Sequence, residues 1–120
     1  MKSVTIGITC YNHQEYIADA IQSALDQTIP CEVIVVNDGS TDNSLAIMEK
    51  FPVKVINQNN KGLPSARNSL IMSMNGDYLL PLDSDDILLD NCVERIQQVI
   101  EQTGADVVAP SFRMFGTQQA

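Results

Sequence analysis

At 120 residues, 44% hydrophobic and 18% charged, the chain is sized and composed for one globular domain with a single core. Seven basic against fifteen acidic side chains leave a net charge of −8, and no basic stripe is visible. That argues against a nucleic-acid partner, whose phosphates need clustered Lys and Arg, while an anionic small molecule stays compatible if a cation or backbone N–H groups neutralise it.

Val4 to Cys10 is rich in Ile and β-branched residues and reads as a buried strand. Asn12 with Glu15 has capping-box spacing, and Tyr16, Ile17, Ala20, Ile21, Ala24 and Leu25 then recur as on a helix ending near Thr28 and Pro30. Glu32 to Val36 is a second buried strand. The turn Asn37-Asp38-Gly39-Ser40 leads to a helix from about Asp42 to Phe51, capped by Ser40 or Asp42. Val53 to Ile56 is a third strand. After a polar loop, Pro64 suits the first turn of a helix whose buried stripe is Leu63, Ala66, Leu70 and Met74. Asn75-Gly76 ends it, and Tyr78 to Leu82 is the fourth strand. Asp90 caps a helix carrying Val93, Ile96, Val99 and Ile100, Gly104 terminates it, and Ala105 to Ala109 is a last strand.

Strands alternating with helices predict an α/β fold, a Rossmann-like open and mostly parallel sheet with helices on both faces. Cys10, Cys31 and Cys92 lack CxxC spacing, and an odd count is no disulfide framework, so they read as reduced core residues of a cytoplasmic protein. No apolar run reaches membrane-span length, and the Met-Lys start followed by a strand-like run is not a signal-peptide pattern.

In open α/β sheets ligands bind beyond the carboxyl ends of the strands. Polar residues collect there three times: Thr9 to Asn12, Asn37 and Asp38, and Asp83 to Asp86. Asp83-Ser84-Asp85 is a DxD pattern. Two carboxylates one residue apart can serve a hard cation and a ligand hydroxyl together, since Mg²⁺ takes one or two carboxylates and fills its shell with phosphates. The same run can equally be a solvated acidic turn. An EF-hand is a poorer match, because the sixth loop position is Leu88 instead of glycine. Asp38 at a strand end can accept from a nucleobase imide N–H or close an Asp-Gly turn. Tyr11 can offer a flat face to a base or staple the first helix. Arg67 reads as structural. His13, the single histidine, has no nucleophile at triad spacing and reads as a first-turn helix residue. No P-loop or GxGxxG pattern occurs.

Three ordered segments, Val4-Thr5-Ile6-Gly7-Ile8-Thr9-Cys10-Tyr11-Asn12, Val35-Val36-Asn37-Asp38-Gly39-Ser40-Thr41-Asp42 and Gly76-Asp77-Tyr78-Leu79-Leu80-Pro81-Leu82-Asp83-Ser84-Asp85-Asp86, together resemble family 2 glycosyltransferases. Lys61-Gly62 and Ala66-Arg67-Asn68 resemble the family as well. The resemblance runs from residue 3 to about 112. It implies a GT-A fold and an inverting transfer of sugar from a nucleotide-sugar, usually a UDP-sugar, with Mg²⁺ or Mn²⁺. By position, Thr9 and Tyr11 would frame the base and Asp38 would accept from it. Asp83 would touch the ribose or bridge the diphosphate, Ser84 would belong to the same donor-binding set, and Asp85 would bind the metal. Asn37 stands where an aspartate is frequent in the family. The family's general base lies well downstream of the DxD, so the resemblance implies that residues 1 to 120 form a donor-binding portion that is inactive by itself. It also implies that a later antiparallel strand normally lies beside Tyr78 to Leu82, whose edge would otherwise be open to a second copy in a homodimer.

Two other readings stay open at this point. One is a nucleotide-binding or assembly module that holds a donor without turning it over. The other, a receiver-type signalling domain, fits poorly. It would need an acidic pair after the first strand and a lysine after the last, where this chain has Thr9-Cys10-Tyr11 and Pro110-Ser111.

Overall fold

A computed structural model describes residues 3–104 and the backbone of residues 117–119. Four parallel strands form its sheet: β1 (Val4–Cys10), β2 (Glu32–Asp38), β3 (Lys54–Gln58) and β4 (Tyr78–Asp83), in the spatial order β3-β2-β1-β4. The connecting helices are α1 (Ile17–Leu25), α2 (Ser44–Met48) and α3 (Leu63–Ser73). Beyond β4 come a short strand, β5 (Asp86–Leu88), and α4 (Cys92–Thr103). β5 pairs antiparallel with β6 (Thr117–Gln119), outside the main sheet.

Side chains of successive strand residues point to opposite faces, and here each face has its own cover. Val4, Ile6, Ile8 and Cys10 of β1 and Val33 and Val35 of β2 join the larger core, with Ile17, Ala20, Ile21 and Ala24 of α1, Met48 of α2 and Val93, Ile96 and Ile100 of α4. Ile34 and Val36 face the other way, onto Ala66 and Leu70 of α3. This two-sided burial is why β2 is an unbroken apolar run and not an alternating one. Each fully buried Ile, Leu or Val contributes roughly 1.5–3 kcal/mol. On the α3 face the approach is close because Gly7 has no side chain: a Cβ there would lie 2.7 Å from Leu70 Cδ1.

Several elements differ from the expected bounds. α2 is shorter than Asp42 to Phe51, because after Met48 the chain tightens into three-residue turns, Lys50 N–H to the Ile47 carbonyl and Phe51 N–H to the Met48 carbonyl, before Pro52. β2 runs two residues past Val36, since Asn37 and Asp38 still pair with Asn57 and Gln58. The Asn12–Glu15 capping box does not form. α1 starts at Ile17 without a side-chain cap. Asp90 does not cap α4 either. That helix follows Asn91 without a side-chain cap, and it does end at Gly104, in the left-handed region at φ 64°. Of the α3 stripe, Ala66 and Leu70 are buried, whereas Leu63 is 43% exposed. All three cysteines are free. Cys10 and Cys92 are buried and Cys31 half-buried, and burial pushes the Cys31 and Cys92 thiols up to about 11. Among the described residues no helix is long and apolar enough to cross a membrane. β4 is the edge of the four-stranded sheet as described, and the expected strand at Ala105 to Ala109 lies outside the described residues.

Candidate functional site

The strand register sets the carboxyl ends level. Thr9 of β1 lies opposite Val36 on one side and Asp83 on the other, Cys10 opposite Asn37, and Asp38 opposite Gln58. Above this rim is a cleft of about 400 Å³, lined by Thr9, Cys10, Tyr11, His13, Asp38, Leu63, Ala66, Asp83, Ser84 and Asp85. Its size falls in the ordinary range for small-molecule sites, ~300–1,000 Å³. The six residues singled out from the sequence, Thr9, Tyr11, Asp38, Asp83, Ser84 and Asp85, all line it. Tyr11 remains 45% exposed there, so its ring is accessible. Leu63 and Ala66 of α3 supply an apolar wall, which accounts for Leu63 being absent from the core.

Two of the rim loops are laced together. Asn12 sits at φ 55°, a conformation that Asn tolerates better than most residues. Its Oδ1 accepts the N–H of Thr41 at 2.7 Å, and its own N–H donates to Ser40 Oγ at 3.0 Å. Gln14 N–H donates to Asp42 Oδ2, and Gln14 Oε1 accepts from Asn43 N–H. These bonds overturn the capping box: the Asn12 side chain serves the turn after β2, not the first turn of α1. Asp42 does act at the start of α2, where its Oδ1 accepts Ser44 N–H at 2.9 Å.

Asp38 is buried and already carries three donors. Oδ1 accepts from Gln58 Nε2 at 3.0 Å and Lys61 N–H at 2.8 Å, and Oδ2 accepts from Gly62 N–H at 3.0 Å. Burial pushes its carboxyl up. The bonds from Gln58, Lys61 and Gly62 and the Lys61 charge outweigh that and hold it below the usual aspartate value. A carboxylate offers about four acceptor sites, so roughly one remains for a ligand.

The acidic turn gathers more than the DxD pair. Asp83 ends β4 and Asp86 begins β5, with only Ser84 and Asp85 between them. Carboxylate oxygens of Asp83, Asp85 and Asp86 come within 4.8 Å of one another. Asp86 is 8% exposed. Burial, then the charges of Asp85 and Asp83, raise its carboxyl above the usual value. A divalent cation fits this donor set: the ligand atoms are hard oxygens, and the mutual repulsion is what a cation relieves. The sequence places Asp86 at the rim, within the run Asp83 to Asp86, but assigns it no ligand role. The four-residue acidic run was its only signal, and the fold-back into β5 was not legible.

His13 was also missed. It is not a helical residue: it precedes α1, its carbonyl accepts from Tyr16 and Ile17 N–H, and its ring meets Tyr16 edge-on at 6.1 Å. Its Nδ1 is hydrogen-bonded to Ser84 Oγ, across the cleft. Arg67 is exposed on α3 and forms no ion pair among the described residues.

Known proteins resemble this chain in sequence and in fold. The glycosyl transferase family 2 model matches residues 5–119. Glycosyltransferase GlyG of Streptococcus pneumoniae is 35% identical over 116 residues, which are 91% of this chain and 38% of that protein. Chondroitin synthase of Escherichia coli is 42% identical over 97 residues, 76% of this chain and 14% of the synthase. Among solved structures, Staphylococcus aureus TarS 1-349 in complex with UDP superposes with a TM-score of 0.78 at 30% identity, covering 85% of this chain and 33% of that one. The chain thus spans well under half the length of these relatives. With the family model matching nearly its whole length and the fold agreeing, the chain belongs to glycosyl transferase family 2.

Proposed function

We propose that this chain holds the donor of an inverting, metal-dependent glycosyl transfer, binding a UDP-sugar in the cleft above β1, β2 and β4. The observation that carries this reading is the convergence of Thr9, Tyr11, Asp38, Asp83, Ser84 and Asp85 on one cleft, next to a cluster of three carboxylates. The UDP-bound TarS structure, at 30% identity, supports uridine as the base.

Each residue has a role that its surroundings allow. Tyr11 presents its exposed ring to the base, and Thr9 offers a hydroxyl beside it. Asp38 uses its remaining acceptor site for the imide N–H, while its other sites fix the Lys61–Gly62 segment. Asp83 orients the ribose or the diphosphate. Asp85, with Asp86 beside it, would hold Mg²⁺ or Mn²⁺. When bound, such an ion supplies Lewis-acid stabilisation of a leaving diphosphate. The net charge of −8 makes this cation the natural counterweight to an anionic donor.

Calorimetric titration with UDP, in Mn²⁺ and in EDTA, tests the proposal. Binding strengthened by Mn²⁺, with cytidine and guanosine diphosphates weaker, is the expected result. Equal binding of all nucleotides, or none, would reject the uridine site. Multiple-turnover transfer from a UDP-sugar by this chain in Mn²⁺ would show that a residue within it supplies the base, whereas a donor-holding portion gives none.

A further inference from the structure

His13 is fixed by its backbone and spends its ring on the acidic turn. Its N–H donates to Ser44 Oγ at 3.2 Å, and its carbonyl accepts from Tyr16 and Ile17 N–H at 3.0 and 2.9 Å. Ser44 is itself fully buried and pinned to Asp42. From this platform Nδ1 reaches Ser84 Oγ, 71 residues along the chain. Ser84 is 1% exposed, while Asp83 before it is exposed and Asp85 after it half-buried. Among the described residues His13 is the only side chain bonded to the Ser84 hydroxyl. The middle residue of the turn is therefore its inward anchor, and its flanking carboxylates are the outward, ligand-facing groups.

We propose that His13 is a positioning residue that sets the Asp83-Ser84-Asp85 turn, coupling the base-side loop after β1 to the metal-side turn after β4. This deepens the donor-site reading and rests on it for its effect on ligands. The reason is elementary: without a partner the Ser84 hydroxyl is a buried, unsatisfied polar group, and a two-residue turn relieves that by rotating toward water. The rotation carries Asp83 and Asp85 with it. Groups that orient metal-binding carboxylates from behind commonly change metal affinity by about 10–100-fold when removed.

Four single variants and one double variant test this in the full 120-residue chain, with UDP and Mn²⁺ as probes. His13→Ala is expected to shift the backbone amide resonances of Ser84, Asp85 and Asp86 in the ligand-free protein. It is also expected to lower the Mn²⁺-dependent gain in UDP affinity about 10–100-fold. His13→Asn places an amide where Nδ1 lies and is expected to restore both signals, whereas His13→Gln, whose amide extends toward the position of Nε2, is not. Ser84→Ala removes the same contact from the other side without touching the platform, so it reports even if His13→Ala fails to fold. It should give the same loss, and the double variant no more. Unmoved amide resonances together with a full Mn²⁺ effect in His13→Ala or Ser84→Ala overturn the proposal. Wild-type chain that binds no UDP overturns the donor-site reading instead, and the amide resonances of the variants then decide the role of His13 by themselves.

Discussion

The N–H of Gly62 donates to Asp38 Oδ2 at 3.0 Å, so the residue that ends β2 also holds the entry to α3. Lys61 N–H and Gln58 Nε2 on Oδ1 complete the clamp. Asp38 is therefore a structural tie and a cleft residue at once, and a substitution there has two separable consequences.

Asp38→Asn turns one of the two acceptor oxygens into a donor, facing at least one existing N–H donor. We expect a loss of roughly 1.5–3 kcal/mol in folding stability, the scale of a hydrogen bond to a charged group. Urea unfolding measures it. UDP affinity at a temperature where the variant is fully folded gives the ligand part. A stability loss with unchanged UDP affinity would leave Asp38 with the tie alone.

The same clamp sets a pH dependence. In Asp38 and Asp42 burial raises the carboxyl, but hydrogen bonds prevail and the net shift is downward. In Glu32 the Asn75 backbone bond leads the downward shift. A carboxyl lowered in the folded state contributes stability that is present above its unfolded value and lost as the pH falls through its folded value. Melting temperature should therefore be flat through neutral pH and drop once the pH enters and passes below the ordinary carboxylate range. In Asp38→Asn that acid slope should be shallower. An unchanged slope would mean that Asp38 does not contribute to it.

How much of this could be read in advance follows from the range of the forces involved. β1 and β2 were legible because their Ile and Val runs are local, and their carboxyl ends locate the cleft by a general rule of open sheets. The Asn12–Glu15 pattern misled because Asn12 Oδ1 is taken by Thr41 and Asp42, about thirty positions on, and no local pattern reports a distant competitor. β5 escaped notice because its three residues have meaning only against Thr117–Gln119. His13 looked ordinary because a lone histidine acquires a role only from the residue it meets, here Ser84. That Thr9, Asp38 and Asp85 meet on one cleft was legible from their places at the strand ends. That Asp38 arrives with three donors already bound was not, since they come from the loop between β3 and α3.

The turn after Asp38 has little tolerance. Gly39 lies at φ 74°, and a Cβ there would meet Asn60 N at 2.6 Å and Asn60 Cβ at 3.0 Å. Gly39→Ala combines a left-handed backbone with a clash against main chain, which cannot rotate away as a side-chain tip can. We expect a loss of at least ~1–2 kcal/mol, since the left-handed conformation alone costs about that for an L-residue. Because the displaced segment leads into Lys61 and Gly62, UDP affinity should fall along with stability. A variant as stable as the parent would show that the Asn59–Asn60 segment yields freely.

The acidic turn offers a test in which the sign of the effect reverses with the ligand. Burial and the neighbouring Asp85 and Asp83 raise the Asp86 carboxyl. A carboxyl raised in the folded state contributes stability present below its unfolded value and lost as the pH rises through its folded value. At neutral pH, without metal, the Asp86 charge is thus a cost to the fold, and Asp86→Asn should raise stability by up to ~1 kcal/mol, the scale of a close charge pair near a surface. Mn²⁺ inverts the comparison. If it binds the folded state as proposed, it should stabilise the parent by mass action, and the variant should gain less. Asp85→Ala should lose the Mn²⁺-dependent gain in UDP affinity altogether while keeping its fold. Thermal melts of parent and both variants across a Mn²⁺ series, with UDP present, give all three comparisons. If Mn²⁺ raises the melting temperature of Asp85→Ala and Asp86→Asn as much as that of the parent, the three carboxylates form an acidic turn and not a metal site.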